Sequence, residues 1–462
     1  MLGSRQSLLV ESTQRLLRRG APGNVRRLLS KTRSEDIAHM FPQLIGRERV
    51  QIFKLIEELE RRAEVLAEVE EDFVPEILDA LELDDVVNVL SEMGSDDAAD
   101  ILALLDDERS AQILERMQGE DALEVEGLMG YDPESAGGIM SAEFFSLGRD
   151  TCVKDAIAAL QREDAEIEMA FYVYVVNEHG HLVGVVSLRQ LVMSRPDRPL
   201  SDIMEPDVIT VPVHADQEEV ARIVARYNFV AVPVVDNSGK IMGIVTVDDI
   251  IDVLYDEAAE DLLKLAGAGQ ELGPQAGVTD HLKMRYPWLI ATCFGGMMAA
   301  VILDPFMETL GTFLGLFVPV VIGMAGNVGI QSSTVVVRGL ATGHVDPNQA
   351  TDVIKREVFV GFLLGLGYGV IVGLAAALYG HLSGEGSDLA AIAYFGLSVG
   401  LALAMAMLLA STLGTAIPVV LSRLGVDPAV ATGPFVTTAL DVLGLLAYFG
   451  IALGLAQLFG QA

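Results

Sequence analysis

The stretch GPFVTTALDVLGLLAYFGIALGLAQLFG, residues 433–460, decides how this chain folds, because it is apolar enough to live in lipid yet carries a carboxylate, Asp441. It exceeds the ~20 residues a helix needs to cross the hydrocarbon core. An aspartate at the centre of a spanning helix costs roughly 2.5–3.5 kcal/mol on insertion scales. Such a residue ordinarily faces a water-filled path or a partner, so Asp441 is a candidate functional group.

Working outward, the sequence predicts spans at about 286–306, 312–340, 353–380, 388–421 and 429–459. Lys283 and Arg285 precede the first, Arg338, Lys355 and Arg356 border the second loop, and Arg423 borders the fourth. The loops around LDPFMETLG and HLSGEGSD hold no Lys or Arg. By the positive-inside rule the N-terminal half is cytoplasmic and the C-terminus lies outside.

Charge divides the chain in two. Residues 283–462 hold nine acids and six bases, leaving 56 acids and 25 bases in residues 1–282, a net of −31 of the chain's −34. That acidity excludes nucleic acid as the main partner, since phosphate binding needs clustered Lys and Arg. It suits cations, and solubility alone is the plainer explanation. Cys152 and Cys293 lie in different halves and form no disulfide framework, as expected in a reducing compartment. The opening SLLV is too short for a signal peptide. Residues 1–30 form a basic extension: up to Arg33, eight Lys and Arg face only Glu11. This segment reads either as a basic amphipathic helix on anionic lipid or as a solvated tail.

Within the spans, polarity gathers in two places. Asn327, Gln331 and Thr334 share one face of the second span, where Gly323, Gly326 and Gly329 permit close approach. Thr437, Thr438 and Asp441 share a face of the fifth. Interhelical hydrogen bonding is the competing explanation for the amides and hydroxyls. It serves Asp441 poorly, with no membrane Lys or Arg at similar depth. With no His or Cys nearby, the donors are oxygens, which suit a hard cation. Mg²⁺ in particular keeps several waters and needs only one or two carboxylates.

Residues 31–130 read as short helices with an internal repeat, DDVVNVLSEM (84–93) against DDAADILALL (96–105), which predicts a small all-α superhelix. Asp84, Asp96 and Asp97 are expected at helix starts, where they can cap and favour the macrodipole. After the linker MGYDPESAGGIM comes a second duplication, VYVVNEHGHLVGVVSLRQLV (173–192) against VPVVDNSGKIMGIVTVDDII (232–251). Each copy reads strand, turn, strand, helix, preceded by a helix and an incoming strand. This resembles a tandem pair of cystathionine-β-synthase (CBS) modules, here 131–201 and 202–263. The resemblance implies an adenine-nucleotide site such as ATP's, whose ribose signature matches Thr246 and Asp249. In the first module Gln190 stands where the Asp belongs.

The order of parts resembles the MgtE family of magnesium channels and transporters, with YDPESAGGIM, PVVIGMAGNVGIQSSTVVVRGLA and DPAVATGPFVTTALDVLGLLAYF as its motifs. The resemblance implies a multidomain membrane protein: an all-α superhelical N domain, an α/β tandem CBS pair and a five-helix α transmembrane domain, 286–462. It implies a homodimer in the bacterial cytoplasmic (inner) membrane, in contact with membrane lipid. The expected activity is Mg²⁺ uptake through a pore marked by Asp441, shut by cytoplasmic Mg²⁺. The implied sensor carboxylates are Asp96, Asp97, Asp100, Asp216, Glu218, Asp249, Asp252, Glu257, Glu260 and Asp261. From the residues alone, Glu257, Glu260 and Asp261 equally make a solvated stripe. The connecting segment 264–285 departs from the family's gating helix, being Gly-rich with Pro274. No nucleophile–base pair or phosphate-binding Gly loop marks an enzyme. The remaining alternative is a secondary transporter coupling a divalent cation to Na⁺ or H⁺.

Overall fold

A computed structural model describes residues 2–459 apart from 118, 163–170, 269–276, 311, 385–387 and 431–432. It separates into two compact units, Met1–Tyr255 and Asp256–Ala462.

The first unit opens with short helices running from Leu2 to Leu128. Their apolar faces close one core around the fully buried Phe41, Phe53, Ile52, Leu66 and Leu90. The basic extension is part of this fold. Helices Leu2–Arg18 and Pro22–Leu29 place Val10, Val25 and Leu29 in the same core, so the segment is neither a loose tail nor a free amphipathic helix. Burial of those side chains outweighs the entropy of a free tail. Of the two roles expected for the helix-start aspartates, capping needs correction and the dipole contact stands. The N-cap positions of Leu83–Ser91 and Ser95–Ala103 are Glu82 and Gly94, neither with a side-chain cap bond. Asp84, Asp96 and Asp97 stand in the first turn instead, where they meet the positive end of the helix dipole.

The stretch read as a linker is built into the second module. Ala136 is fully buried, its N–H donates to Ala215 O at 2.7 Å, and Ser141 exchanges backbone hydrogen bonds with Ile244. The modules themselves are two like sheets: β1 Ser146–Gly148, β2 Tyr172–Val176 and β3 Leu182–Ser187, then β4 Val211–Pro212, β5 Ala231–Val235 and β6 Ile241–Thr246. In each, an incoming strand pairs parallel to the central one, which pairs antiparallel to the third. The central strands are buried on both faces, Val173 and Val175 in one core and Tyr174 in another, which suits their β-branched and aromatic side chains.

The helix Val247–Leu265 carries the chain into the second unit. Of the connecting segment 264–285, residues 269–276 with Pro274 lie outside the described residues, and a helix resumes at Val278. Among the described residues, five helices are long and apolar enough to cross a membrane. They are Val278–Leu310; Val318–Ala341, preceded by the turn Thr312–Gly315; Thr351–Ser383; Leu389–Arg423; and Pro434–Phe459. The fifth begins at Pro434 rather than 429, because proline fits a first helical turn, where its missing N–H costs nothing. The break before Val318 is tied down by Tyr448, fully buried, whose hydroxyl donates to Leu314 O at 2.9 Å.

The third and fourth spans meet along glycine. A methyl added at Gly365, Gly369 or Gly373 would lie 2.7, 2.5 or 2.7 Å from the carbonyl oxygens of Ala404, Gly400 or Gly396. Backbones this close gain dispersion and Cα–H···O contacts that lipid does not supply.

Candidate ion pathway and carboxylate clusters

In the second unit, the fifth span packs on the second through Val436 and Leu440, both buried against Gly329. Asp441 follows Leu440 and is half-buried, and among the described residues no Lys or Arg pairs with it. Asn327, Gln331 and Thr334 lie together on the outward side of the second span, all exposed in the single chain. Thr334 bonds back to Ile330 O at 2.9 Å. The fifth-span hydroxyls divide: Thr437 donates to Gly433 O at 2.9 Å, and Thr438 packs on Gly295 of the first span. Thr438 is thus a packing group as well as a neighbour of Asp441.

In the same unit, Lys264 reaches Glu260 and Asp427 at 2.7 Å each. Burial opposes its charge, but these two bonds outweigh that and hold its pKa above the usual value. Asp261 is pushed up to about 6, by burial first and then by Asp427, with Glu257 and Glu260 adding to it. Glu257, Glu260 and Asp261 are all partly buried, so they are no solvated stripe. Asp427, 163 residues from Lys264, was invisible as a partner in the sequence. Only its position before Pro428 in a loop hinted at it.

In the first unit, helix Ser95–Ala103 faces the start of Val247–Leu265. Burial raises the Asp96 carboxyl, against its backbone bonds and the Ser141 hydroxyl, and Asp248 raises it further. Asp96 Oδ1 is buried without a hydrogen-bond partner. Burial and Asp96 push Asp100 up to about 6. Burial pushes Asp249 up to about 7 against the bond from the Thr246 hydroxyl, and Asp96 and Asp248 raise it further. Glu68, absent from the sequence reading, is raised by burial, then by Glu35 and Asp252. Asp97 lines a hollow with Glu64, Glu68 and Glu92. Asp216 and Glu218 stand apart in role. Asp216 caps its helix by accepting the Glu218 N–H at 2.9 Å, and Glu218 meets Arg222 at 3.4 Å.

The two CBS modules repeat one capping arrangement. Gln190 Oε1 accepts the N–H and hydroxyl of Ser187 at 2.9 and 2.8 Å, and Asp249 Oδ2 accepts the same pair from Thr246. Gln190 is exposed and Thr246 buried, so the box with the carboxylate is the covered one. Among the described residues no three His, Cys, Asp or Glu converge tightly enough to hold a metal within one chain. A hydrated Mg²⁺ does not require that many.

Comparison with known proteins matches each part. Residues 318–451 fit the family described as divalent cation transporter, 32–134 the MgtE intracellular N domain, and 136–196 and 200–256 CBS domains. The chain is similar to the magnesium transporter MgtE of Thermus thermophilus, 39% identical over 71% of this chain and 72% of that one. It is 34% identical to MgtE of Bacillus subtilis over 95% of both. Its N-terminal half resembles the crystal structure of the cytosolic domain of the Mg²⁺ channel MgtE in complex with ATP. That match has TM-score 0.51 and 34% identity, covering 53% of this chain and 99% of that one. The soluble part of a magnesium transporter matches at TM-score 0.50, 34% identity, over 55% and 100%. With its intracellular N domain, CBS pair and five membrane spans in family order, the chain belongs to the MgtE family of magnesium transporters.

Proposed function

We propose that the chain is a Mg²⁺-selective channel for uptake, working as a homodimer in the bacterial inner membrane with its C-terminus outside. The observation that carries this reading is Asp441: a half-buried carboxylate in a spanning helix with no cationic partner among the described residues. Asn327, Gln331 and Thr334 on the outward side of the adjacent span supply neutral oxygens. A second copy across a two-fold axis would enclose both faces and double the carboxylate, matching an ion that gives up few waters. Apolar Val192, Met193, Ile251, Leu254 and Tyr255, exposed on the CBS helices, support pairing of chains.

Cytoplasmic Mg²⁺ would close the pore by binding two groups of carboxylates. One is Asp96, Asp97, Asp100, Asp249 and Asp252, with Asp248 and Glu68; the other is Glu257, Glu260, Asp261 and Asp427. Among them Asp96, Asp100, Asp249, Glu68 and Asp261 are pushed above their ordinary pKa by burial and by neighbouring carboxylates, and such groups gain most from a cation. Binding that favours the compact arrangement shifts the population toward it, and loss of the ions releases it. Asp216 and Glu218 would contribute only their outer oxygens, given their capping and ion-pair roles. An adenine nucleotide at the CBS pair is supported by the ATP complex of the similar cytosolic domain. In this chain Thr246 and Asp249 are the ribose candidates.

Mg²⁺ flux into liposomes containing the purified chain tests the reading. Flux that is shut by Mg²⁺ on the cytoplasmic face, and falls at least about tenfold in Asp441→Asn, is the expected result. Undiminished flux in that variant removes Asp441 from the pore, and flux that needs a Na⁺ or pH gradient makes the protein a coupled carrier.

A further inference from the structure

The basic extension lies outside the matched N-domain family region, which starts at residue 32, and the channel reading leaves it without a role. Its apolar side is spent: Val10, Thr13, Val25 and Leu29 are buried against the N domain, and Gln14 donates to Gln43 O at 3.4 Å. What faces solvent is charge. Arg15, Arg18, Arg26 and Arg27, on two helices packed against one another, and Arg19 and Lys31 in the turns just after them are all exposed. Among the described residues the sole ion pair these six make is Arg26 with Glu57, at 3.2 Å. This is notable in its setting, since residues 34–130 hold 28 acids and seven bases. The fold keeps a cationic face apart from acids it has in excess.

We propose that this face docks the N domain electrostatically on the anionic phospholipid surface of the bilayer that anchors the chain. Three observations favour lipid over a protein partner. Five of the six cations are arginines, whose planar forks match phosphate oxygens two at a time. Leu8 is the single large apolar side chain exposed in residues 6–33, too little for the apolar core of a protein interface. The chain's own spans hold a bilayer at permanently high effective concentration. With the apolar stripe already buried, the helices adsorb without inserting, each cation near the surface contributing roughly fivefold.

The test uses the full chain in nanodiscs, with Cys152→Ser and Cys293→Ser, and a donor dye on Ser30→Cys. Energy transfer to an acceptor-labelled lipid is compared in discs of phosphatidylcholine and of phosphatidylcholine with phosphatidylglycerol. Transfer should be greater in the anionic discs, and the adsorbed fraction should fall at least about tenfold when salt is raised to about 0.5 M. Changing Arg15, Arg18, Arg19, Arg26 and Arg27 together to Gln should abolish the difference, and changing them to Lys should keep most of it. Equal transfer in the two discs, or a difference that survives the Gln variant, overturns the proposal. Donor–donor quenching that ignores lipid composition overturns it in favour of contact between copies.

Discussion

At the scale of single residues, the carboxyls of Asp96, Asp100 and Asp249 hold protons more tightly in the folded chain than in the unfolded one. The folded state therefore binds more protons, and its stability falls as pH rises. The loss begins near the unfolded aspartate value of about 4 and is complete above the folded value of Asp249, about 7. Without divalent cations, the first melting transition should move to higher temperature as pH is lowered from about 8 to about 6. Asp249→Asn should flatten that dependence and raise the metal-free melting temperature, because it removes the charge the fold must suppress. Added Mg²⁺ should flatten it in the native chain. A melting temperature independent of both pH and Mg²⁺ would dissociate these carboxylates from sensing. Lys264 invites the converse change. Lys264→Met strips Glu260 and Asp427 of their shared cation, so the melting temperature in EDTA should drop and its recovery by Mg²⁺ should grow.

At the scale of elements, the glycine ladder joining the third and fourth spans is a packing device with a steep penalty for change. Any side chain at Gly369 meets the Gly400 carbonyl, a backbone atom that cannot swing aside. Gly369→Leu should destabilise the membrane unit by about 1–3 kcal/mol or more, read as earlier unfolding in detergent. Gly367, with open space beside it, serves as the control, and Gly367→Leu should be nearly silent. The same spacing cannot be judged from sequence alone, since both glycines stand in one run, GFLLGLGYG, and only packing assigns one to the interface.

For the whole molecule, the surplus of −31 in residues 1–282 is the governing quantity. Repulsion of that size opposes compaction, and divalent cations relieve it. The radius of gyration of the detergent-solubilised chain should shrink when Mg²⁺ is added, and Na⁺ at equal ionic strength should do far less. Equal responses to the two salts would mean screening rather than binding.

Five spans, the duplicated α/β modules and the single carboxylate of the fifth span, Asp441, were determined by sequence, because apolar length, strand alternation and charge distribution are local properties. Thr246 and Asp249 were legible for the same reason, being three residues apart at a helix start. Tertiary structure alone decided what depends on distant chain segments meeting. It brought Asp427 to Lys264, set Asp96 against Asp249, and turned Thr438 onto Gly295. It also drew the basic extension into the N-domain core and built the linker into the second CBS module. Hydrophobic periodicity tells which face of a segment is buried, but the partner that buries it is fixed by packing across the whole fold.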